Sequence, residues 1–442
     1  MKQLSVALLL FSTVFSALEP SFATSSSSGH GKVPKLSPAG LKALDDLVAN
    51  TVKSNRLPGF VLAVSNVDEQ LYANAGGNQT YGDPNSAVAT TDSVFWLASM
   101  TRLLTSISVL QLVEQGKFNF DTPVSKFFPE FKNVVLLHNV TDPASTFEPV
   151  KKPITVWHLL THTSGLSYFL GPPRQNYESS VPYTHKYAEG EGHSKFLELL
   201  KFGFPGIAVA SHPGTAFTYG HSTTVLGLVV EKVTGQSLEE YAQKNLFSSV
   251  GVNTSYRLTE ETNSRLIDLH FRNPDGSISG WEDRAPVIQR YPEQVRVTLG
   301  GVGAYSTLPD YLTILRHLLQ IEAGRNVRNA VLKRKTVQEL FKPQLKSDVT
   351  LGLEQLLDLI SPNINFENPN WSTTFAVTTK DLRGGRPKGS GFWSGFAGTW
   401  YIIDPKTGIA LVFGSQIVPP LDPVTAEVVE EAERIVYANL EY

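Results

Sequence analysis

Two pairs of strands, one near each end of the chain, most constrain how this sequence can fold. Residues 59–78 carry the apolar run Phe60-Val-Leu-Ala-Val64, the polar turn Asn66-Val-Asp-Glu69 and a second strand ending at Gly76-Gly77. Residues 398–417 repeat the layout: Trp400-Tyr-Ile-Ile403, the turn Asp404-Pro-Lys-Thr-Gly408, then Ile409-Ala-Leu-Val-Phe413. Runs rich in β-branched and aromatic residues, bounded by Asn, Asp, Pro and Gly, read as hairpins. Between them the apolar spacing is helical. Past Ser99, the residues Leu103, Ile107, Leu110 and Val113 mark one helix face, and Gly116 ends it. Further helical stretches fall at 41–52, 154–161, 221–234, 237–246 and 425–440. This order predicts an α/β (α+β) fold: one antiparallel sheet built from both chain ends and flanked by helices, with a mostly helical domain inserted. The expected bounds are 41–105 with 285–442 for the sheet domain and 106–284 for the insertion. The stretches 141–153 and 172–191, rich in Pro, Tyr and charge, are expected to be surface loops near a site.

Ahead of that body, Lys2, an apolar stretch over 4–15 and Ser21-Phe-Ala23 have the layout of a secretory signal with its cleavage site, followed by a flexible leader over 24–40. A buried first helix fits less well, because the Ser-rich segment that follows is a poor partner for a core helix. Sequons at Asn78, Asn139, Asn253 and Asn370 add an expectation of glycosylation and a secreted product. The chain has no cysteine, which excludes disulfides, thiolate metal sites and a cysteine nucleophile. Its stability must come from core size, and 442 residues allow that. A net charge of −3 gives no reason to expect nucleic acid as a partner. No apolar run reaches the ~18 residues of a membrane span.

The stretch Trp96-Leu-Ala-Ser-Met-Thr-Arg102 poses the chemical question. It looks like the start of a helix that carries a nucleophilic serine, with an arginine where Ser-x-x-Lys enzymes keep their lysine. The alternative for Ser99 is an N-cap hydroxyl with no further role. Other patterns fail. Gly220-His-Ser-Thr-Thr224 begins like a nucleophile elbow, but Thr224 occupies the position of the second glycine. The ten histidines contain no His-Glu-x-x-His, and His158 and His162 read as helix caps or packing residues. No phosphate-binding loop is present, and no metal or cofactor is expected.

Five segments in fixed order carry a resemblance: Ser99-Met-Thr-Arg102, residues 154–166, 213–222 and 300–307, and Trp393-Ser-Gly395. Together they resemble the serine β-lactamase-related proteins of the class C and penicillin-binding type. Within that group the chain is most similar to family VIII esterases and fungal polyketide acyltransferases, from about Leu41 onward. The resemblance implies a sheet domain made from both chain ends with an inserted helical domain. It also implies that Ser99 is the nucleophile, in the positive field of a helix N-terminus, and that the backbone N–H groups of Ser99 and Phe396 form an oxyanion hole. Tyr219 matches the tyrosine that shares proton transfer, and His221 stands where the family has Asn. Trp393-Ser394-Gly395 stands where β-lactamases have Lys-Thr-Gly, so the cation that meets a β-lactam carboxylate is gone. A small hydrophobic ester, thioester or lactone becomes the expected substrate. Lys406-Thr-Gly408 is a decoy inside a hairpin turn. Trp96, Tyr168, Phe169, Phe392 and Phe396 are candidates to line the pocket.

Arg102 projects beside Ser99 on a helix, as the family lysine does. Neutralising an arginine at pH 7 costs about 7.5 kcal/mol, so Arg102 is not the base. Ionising an ordinary tyrosine costs about 4 kcal/mol, which a neighbouring cation reduces. A histidine needs no such help. Tyr219 and His221 therefore both remain candidate bases, and His221 could instead only position its neighbours. Three functions stay open: an acylating hydrolase or acyltransferase, a non-hydrolytic isomerase, cyclase or lyase that uses the Arg102 cation, and a binding protein without catalysis. The first predicts that Arg102→Lys raises hydrolysis, because an amine can be deprotonated.

Overall fold

The computed structural model describes residues 33–170, 180–281, 295–361, 363–420 and 422–442. The proposed signal over 1–23 and most of the proposed leader lie outside them. The strands β1 (Phe60–Asn66), β2 (Gln70–Gly76), β3 (Asn370–Trp371), β4 (Ala376–Val377), β5 (Gly391–Gly395), β6 (Thr399–Asp404) and β7 (Ile409–Gly414) form one antiparallel sheet. Its order is β3-β4-β5-β6-β7-β1-β2. The two hairpins predicted from opposite chain ends thus meet edge to edge through β7 and β1, in a register that sets Leu411 opposite Val64 and Phe413 opposite Leu62.

Every residue of β1, β6 and β7 is buried. A strand buried on both faces needs a covering layer on each. Helix α1 (Pro38–Ser54) packs on β2 and against the C-terminal helix Pro423–Ala438, and a helix at Leu308–Glu322 packs on β1 and β7. Of the flexible leader expected over 24–40, residues 24–32 lie outside the described residues, and 35–40 are instead paired or helical. Ser37 caps the helix by accepting the Gly40 N–H at 3.0 Å, Pro38 occupies its first turn, and Lys35–Leu36 pairs with Leu440–Glu441. Helix α2 (Thr101–Glu114) is buried at every position from Thr101 to Leu112, so it runs through the core and carries no solvent face. Helix α3 (Ser222–Thr234) packs beside it.

The middle of the chain is less uniformly helical than its spacing suggests. Val134–Leu137 pairs with Phe147–Pro149 and with Ile207–Val209 in a small sheet. His270–Arg272, placed by sequence in the insertion, pairs with Ile417–Val418 beside the main sheet. Short strands with few residues each leave little periodicity to read. Residues Val33–Tyr442 form one compact unit. Among the described residues no helix is long and apolar enough to cross a membrane.

The Asn370 sequon is corrected by its surroundings. Its side-chain amide donates to Leu345 O at 3.0 Å, and its oxygen accepts from the Gln344 and Leu345 amides at 3.1 and 2.9 Å. Asn370 is buried, so the folded chain has no room for a glycan there. Asn139 and Asn253 are exposed, and Asn78 is half-buried.

Candidate active site

Ser99 does not open the long helix directly. It lies in a single 3₁₀ turn, Ala98–Met100, that leads into α2. Ala98 has φ of 45°, a left-handed value that costs about 1 kcal/mol or more for a residue with a Cβ. It turns the chain sharply from the strand Val94–Trp96 into the helix and brings Ser99 to the wall of a cavity of ≈380 Å³. Tyr219, Tyr168, Trp393, Phe396 and Trp96 line the same cavity, with Phe169, Leu356 and Leu359. Phe169 and Leu359 are exposed.

Arg102, one turn beyond Ser99, is 1% exposed, and its guanidinium makes four hydrogen bonds. Nε donates to Tyr219 Oη at 2.6 Å, Nη1 donates to Gly220 O at 3.2 Å and to Thr223 Oγ1 at 3.0 Å, and Nη2 donates to Tyr168 Oη. No acidic side chain pairs with it among the described residues. Burial works against its charge, but the surrounding hydroxyls of Tyr168, Tyr219 and Tyr183 outweigh that and hold it above the usual arginine range. It is a fixed cation in a cage of phenols. Burial pushes Tyr168 well above the ordinary phenol range and raises Tyr183, with the Arg102 charge opposing both shifts.

Tyr219 Oη receives a second donor, Trp393 Nε1–H, at 2.8 Å. Trp393 is held by β5, whose residues Trp393, Ser394 and Gly395 pair with Tyr401, Trp400 and Thr399 of β6. Pairing with β4 stops at Phe392, so the rest of that β5 edge is left unpaired by β4. Gly395 permits a close approach to the serine turn: a Cβ there would lie 2.5 Å from Leu97 O and 2.1 Å from Thr399 Oγ1. Neither the Ser99 amide nor the Phe396 amide has a hydrogen-bond partner among the described residues. Unpaired N–H groups at such a place are what an oxyanion would need.

His221 lies behind the cavity wall. Its Nε2 meets Ser180 Oγ at 2.9 Å, and its ring is enclosed by Tyr168 and Tyr183 at 4.8 and 4.9 Å. Residues 219–221 run beside 166–168, and a Cβ on Gly220 would stand 1.8 Å from Leu166 O. Close backbone approach explains this glycine without a nucleophile elbow. Phe392 is corrected: it is fully buried, stacks on Phe366 at 4.9 Å and belongs to the core. Trp393, its neighbour on the strand, faces the site, as alternation requires. Lys406 and Thr407 donate their amides to Asp404 Oδ1 in the turn after β6, in keeping with a structural role for that Lys-Thr-Gly.

Two residues of the site, Tyr183 and Trp371, were not singled out from sequence, and a third, His162, was read only as a cap or packing residue. Tyr183 hydrogen-bonds Tyr168 at 3.0 Å. His162 stacks on Tyr219 at 4.9 Å, and burial, then the Arg102 charge, hold its imidazole well below the usual range. Trp371 packs edge-on to Trp393 at 4.6 Å. The only signal for Tyr183 was its loop, rich in Pro and Tyr.

A profile of the beta-lactamase family matches residues 44–434. The chain belongs to the beta-lactamase family. Among its relatives in that family is monacolin J acid methylbutanoyltransferase of Aspergillus terreus, 28% identical over 88% of this chain and 93% of that one. Lovastatin esterase of Penicillium rubens is 29% identical over 86% of this chain and 94% of its own length. The solved structure of unliganded simvastatin synthase from Aspergillus terreus superposes with a TM-score of 0.73 at 27% identity, covering 90% of this chain and 98% of the other. These relatives of the beta-lactamase family are named for acyl transfer and ester cleavage.

Proposed function

We propose that this protein is an acyltransferase or esterase that acylates Ser99 from a hydrophobic ester or thioester, with Tyr219 as the base. The observation that carries the reading is the environment of Tyr219 Oη. It accepts N–H bonds from Arg102 and Trp393 and lines the same cavity as Ser99. The two N–H donors hold that oxygen in place to take the serine proton. Arg102 serves as the fixed cation of this pair. His221, walled off by Tyr168 and Tyr183, positions those rings and does not act as the base.

Ser99 Oγ gives its proton to the Tyr219 phenolate and bonds to the acyl carbon, while the amides of Ser99 and Phe396 stabilise the oxyanion. The carbonyl re-forms, the C–O or C–S bond to the leaving group breaks, and the leaving group takes the proton from Tyr219. An acceptor hydroxyl, or water, then repeats the sequence on the acyl-serine and regenerates Ser99. Relatives named for monacolin J acid and lovastatin support a bulky polyketide alcohol or its ester as the partner substrate. The test is turnover of short aryl esters and acyl thioesters beside a chromogenic cephalosporin. Ester or thioester turnover is expected; efficient cephalosporin cleavage with no ester activity would overturn the proposal.

We further propose that the protein enters the secretory pathway, on the strength of Lys2, the apolar stretch over 4–15 and the exposed sequons. Expression in a eukaryotic host should yield a mature N-terminus near Thr24. An unglycosylated cytosolic product that keeps Met1 would contradict it.

A further inference from the structure

A chain of hydroxyls continues beyond Arg102, away from Tyr219. Arg102 Nη2 donates to Tyr168 Oη, which lies 3.0 Å from Tyr183 Oη. Tyr183 Oη lies 2.7 Å from Thr224 Oγ1, on α3. Thr224 Oγ1 also accepts the Gly301 N–H at 3.1 Å, which ties the end of the chain to the loop before the strand Tyr305–Thr307. A buried cation orients neighbouring hydroxyl dipoles with their oxygens toward it and their protons away, and successive bonds in such a chain polarise one another. The chain therefore runs Arg102 to Tyr168 to Tyr183 to Thr224. With that polarity, Tyr168 and Tyr183 would each donate to the next oxygen. Tyr219 differs: its oxygen accepts two N–H bonds, and its own proton has no acceptor among the described residues.

We propose that Tyr183 and Thr224 are positioning residues for the acylation of Ser99: their hydroxyls fix the Arg102 guanidinium through Tyr168, leaving Tyr219 to exchange the proton with Ser99. The inference rests on the reading of Ser99 as the nucleophile. It goes beyond that reading by placing the selection among three phenols in residues that do not touch Ser99's proton. Burial raises both Tyr168 and Tyr183 above the ordinary phenol range, in keeping with that division. The titratable groups that face Tyr219 are Arg102, His162, Tyr168, Tyr183 and Tyr401. Of these, His162 is held neutral by burial and by Arg102, so Arg102 supplies the cation.

The test uses the full chain and its Tyr183→Phe, Thr224→Val and Thr224→Ser variants. The rate of Ser99 labelling by a fluorophosphonate is followed by intact mass across pH and probe concentration. Tyr183→Phe and Thr224→Val should lower the limiting rate about tenfold and move its pH midpoint upward, with half-saturation by the probe unchanged. Thr224→Ser, which keeps the hydroxyl, should rescue the loss seen with valine. A wild-type rate and pH midpoint in Tyr183→Phe would overturn the proposal, as would a serine variant no better than valine. A second readout is independent of labelling: the side-chain nitrogen–proton NMR signals of Arg102, identified by their loss in Arg102→Lys. They should broaden or shift in Tyr183→Phe and Thr224→Val and recover in Thr224→Ser; unchanged signals in Tyr183→Phe contradict the chain. Should the wild-type serine not label at all, the reading of Ser99 fails, and the NMR signals still decide whether the chain holds Arg102.

Discussion

At the scale of single residues, the proposed chemistry turns on the guanidinium of Arg102. From sequence alone, Arg102→Lys looks like a gain of hydrolysis. The geometry argues the reverse. Four acceptors, Tyr219 Oη, Gly220 O, Thr223 Oγ1 and Tyr168 Oη, are spread around a planar fork that one ammonium cannot match. Arg102→Lys should lower the unfolding free energy by about 2–4 kcal/mol in urea titrations and slow Ser99 acylation by at least about tenfold. Faster acylation in the lysine variant would show that an amine base is what the site lacks. The sequence could name Ser99, Arg102, Tyr219 and Trp393, because each sits in a motif of fixed spacing. It could not show that Tyr219 accepts from Trp393, since those two are 174 positions apart and meet only when the sheet is assembled. Nor could it separate Phe392 from Trp393 as core and site residues, because strand alternation fixes opposite faces but not which face is the site.

At the scale of elements, the end of β5 and the serine turn form one joint. Gly395 is the residue that lets them touch, since a Cβ would press on Leu97 O and Thr399 Oγ1. Gly395→Ala should cost about 1–3 kcal/mol of stability and reduce Ser99 labelling about a hundredfold, because a displacement near 1 Å spoils the alignment of serine and oxyanion donors. Retained labelling with unchanged stability would separate the β5 turn from the oxyanion site. The hairpins at 59–78 and 398–417 were legible because their turns and apolar runs are strong local signals. Short pairings such as His270–Arg272 with Ile417–Val418 were not. They are set by contacts across the fold and leave no period in the sequence.

At the scale of the whole molecule, the sheet from both chain ends and the helices between them share one core, and that core holds neutral histidines. Burial depresses His158 and His317 to about 4, and His162 lies well below its usual range. A histidine depressed in the folded state takes up protons mainly when unfolded. The stability it gives is full above the unfolded value near ~6.5 and is lost as pH falls toward the folded value. His158 and His317 should therefore each cost about 2–3 kcal/mol between pH 7 and pH 4.5, with His162 acting in the same direction, read as a falling midpoint in urea unfolding. A flat midpoint over that window would mean that these side chains are not buried neutral. The most direct measurement of the central claim is intact-mass analysis after fluorophosphonate treatment of wild type, Ser99→Ala and Tyr219→Phe. A single adduct on wild type, none on Ser99→Ala, and labelling at least about a thousandfold slower on Tyr219→Phe is the expected result. Wild type that stays unlabelled, or Tyr219→Phe that labels at the wild-type rate, would contradict acylation of Ser99 by a tyrosine base.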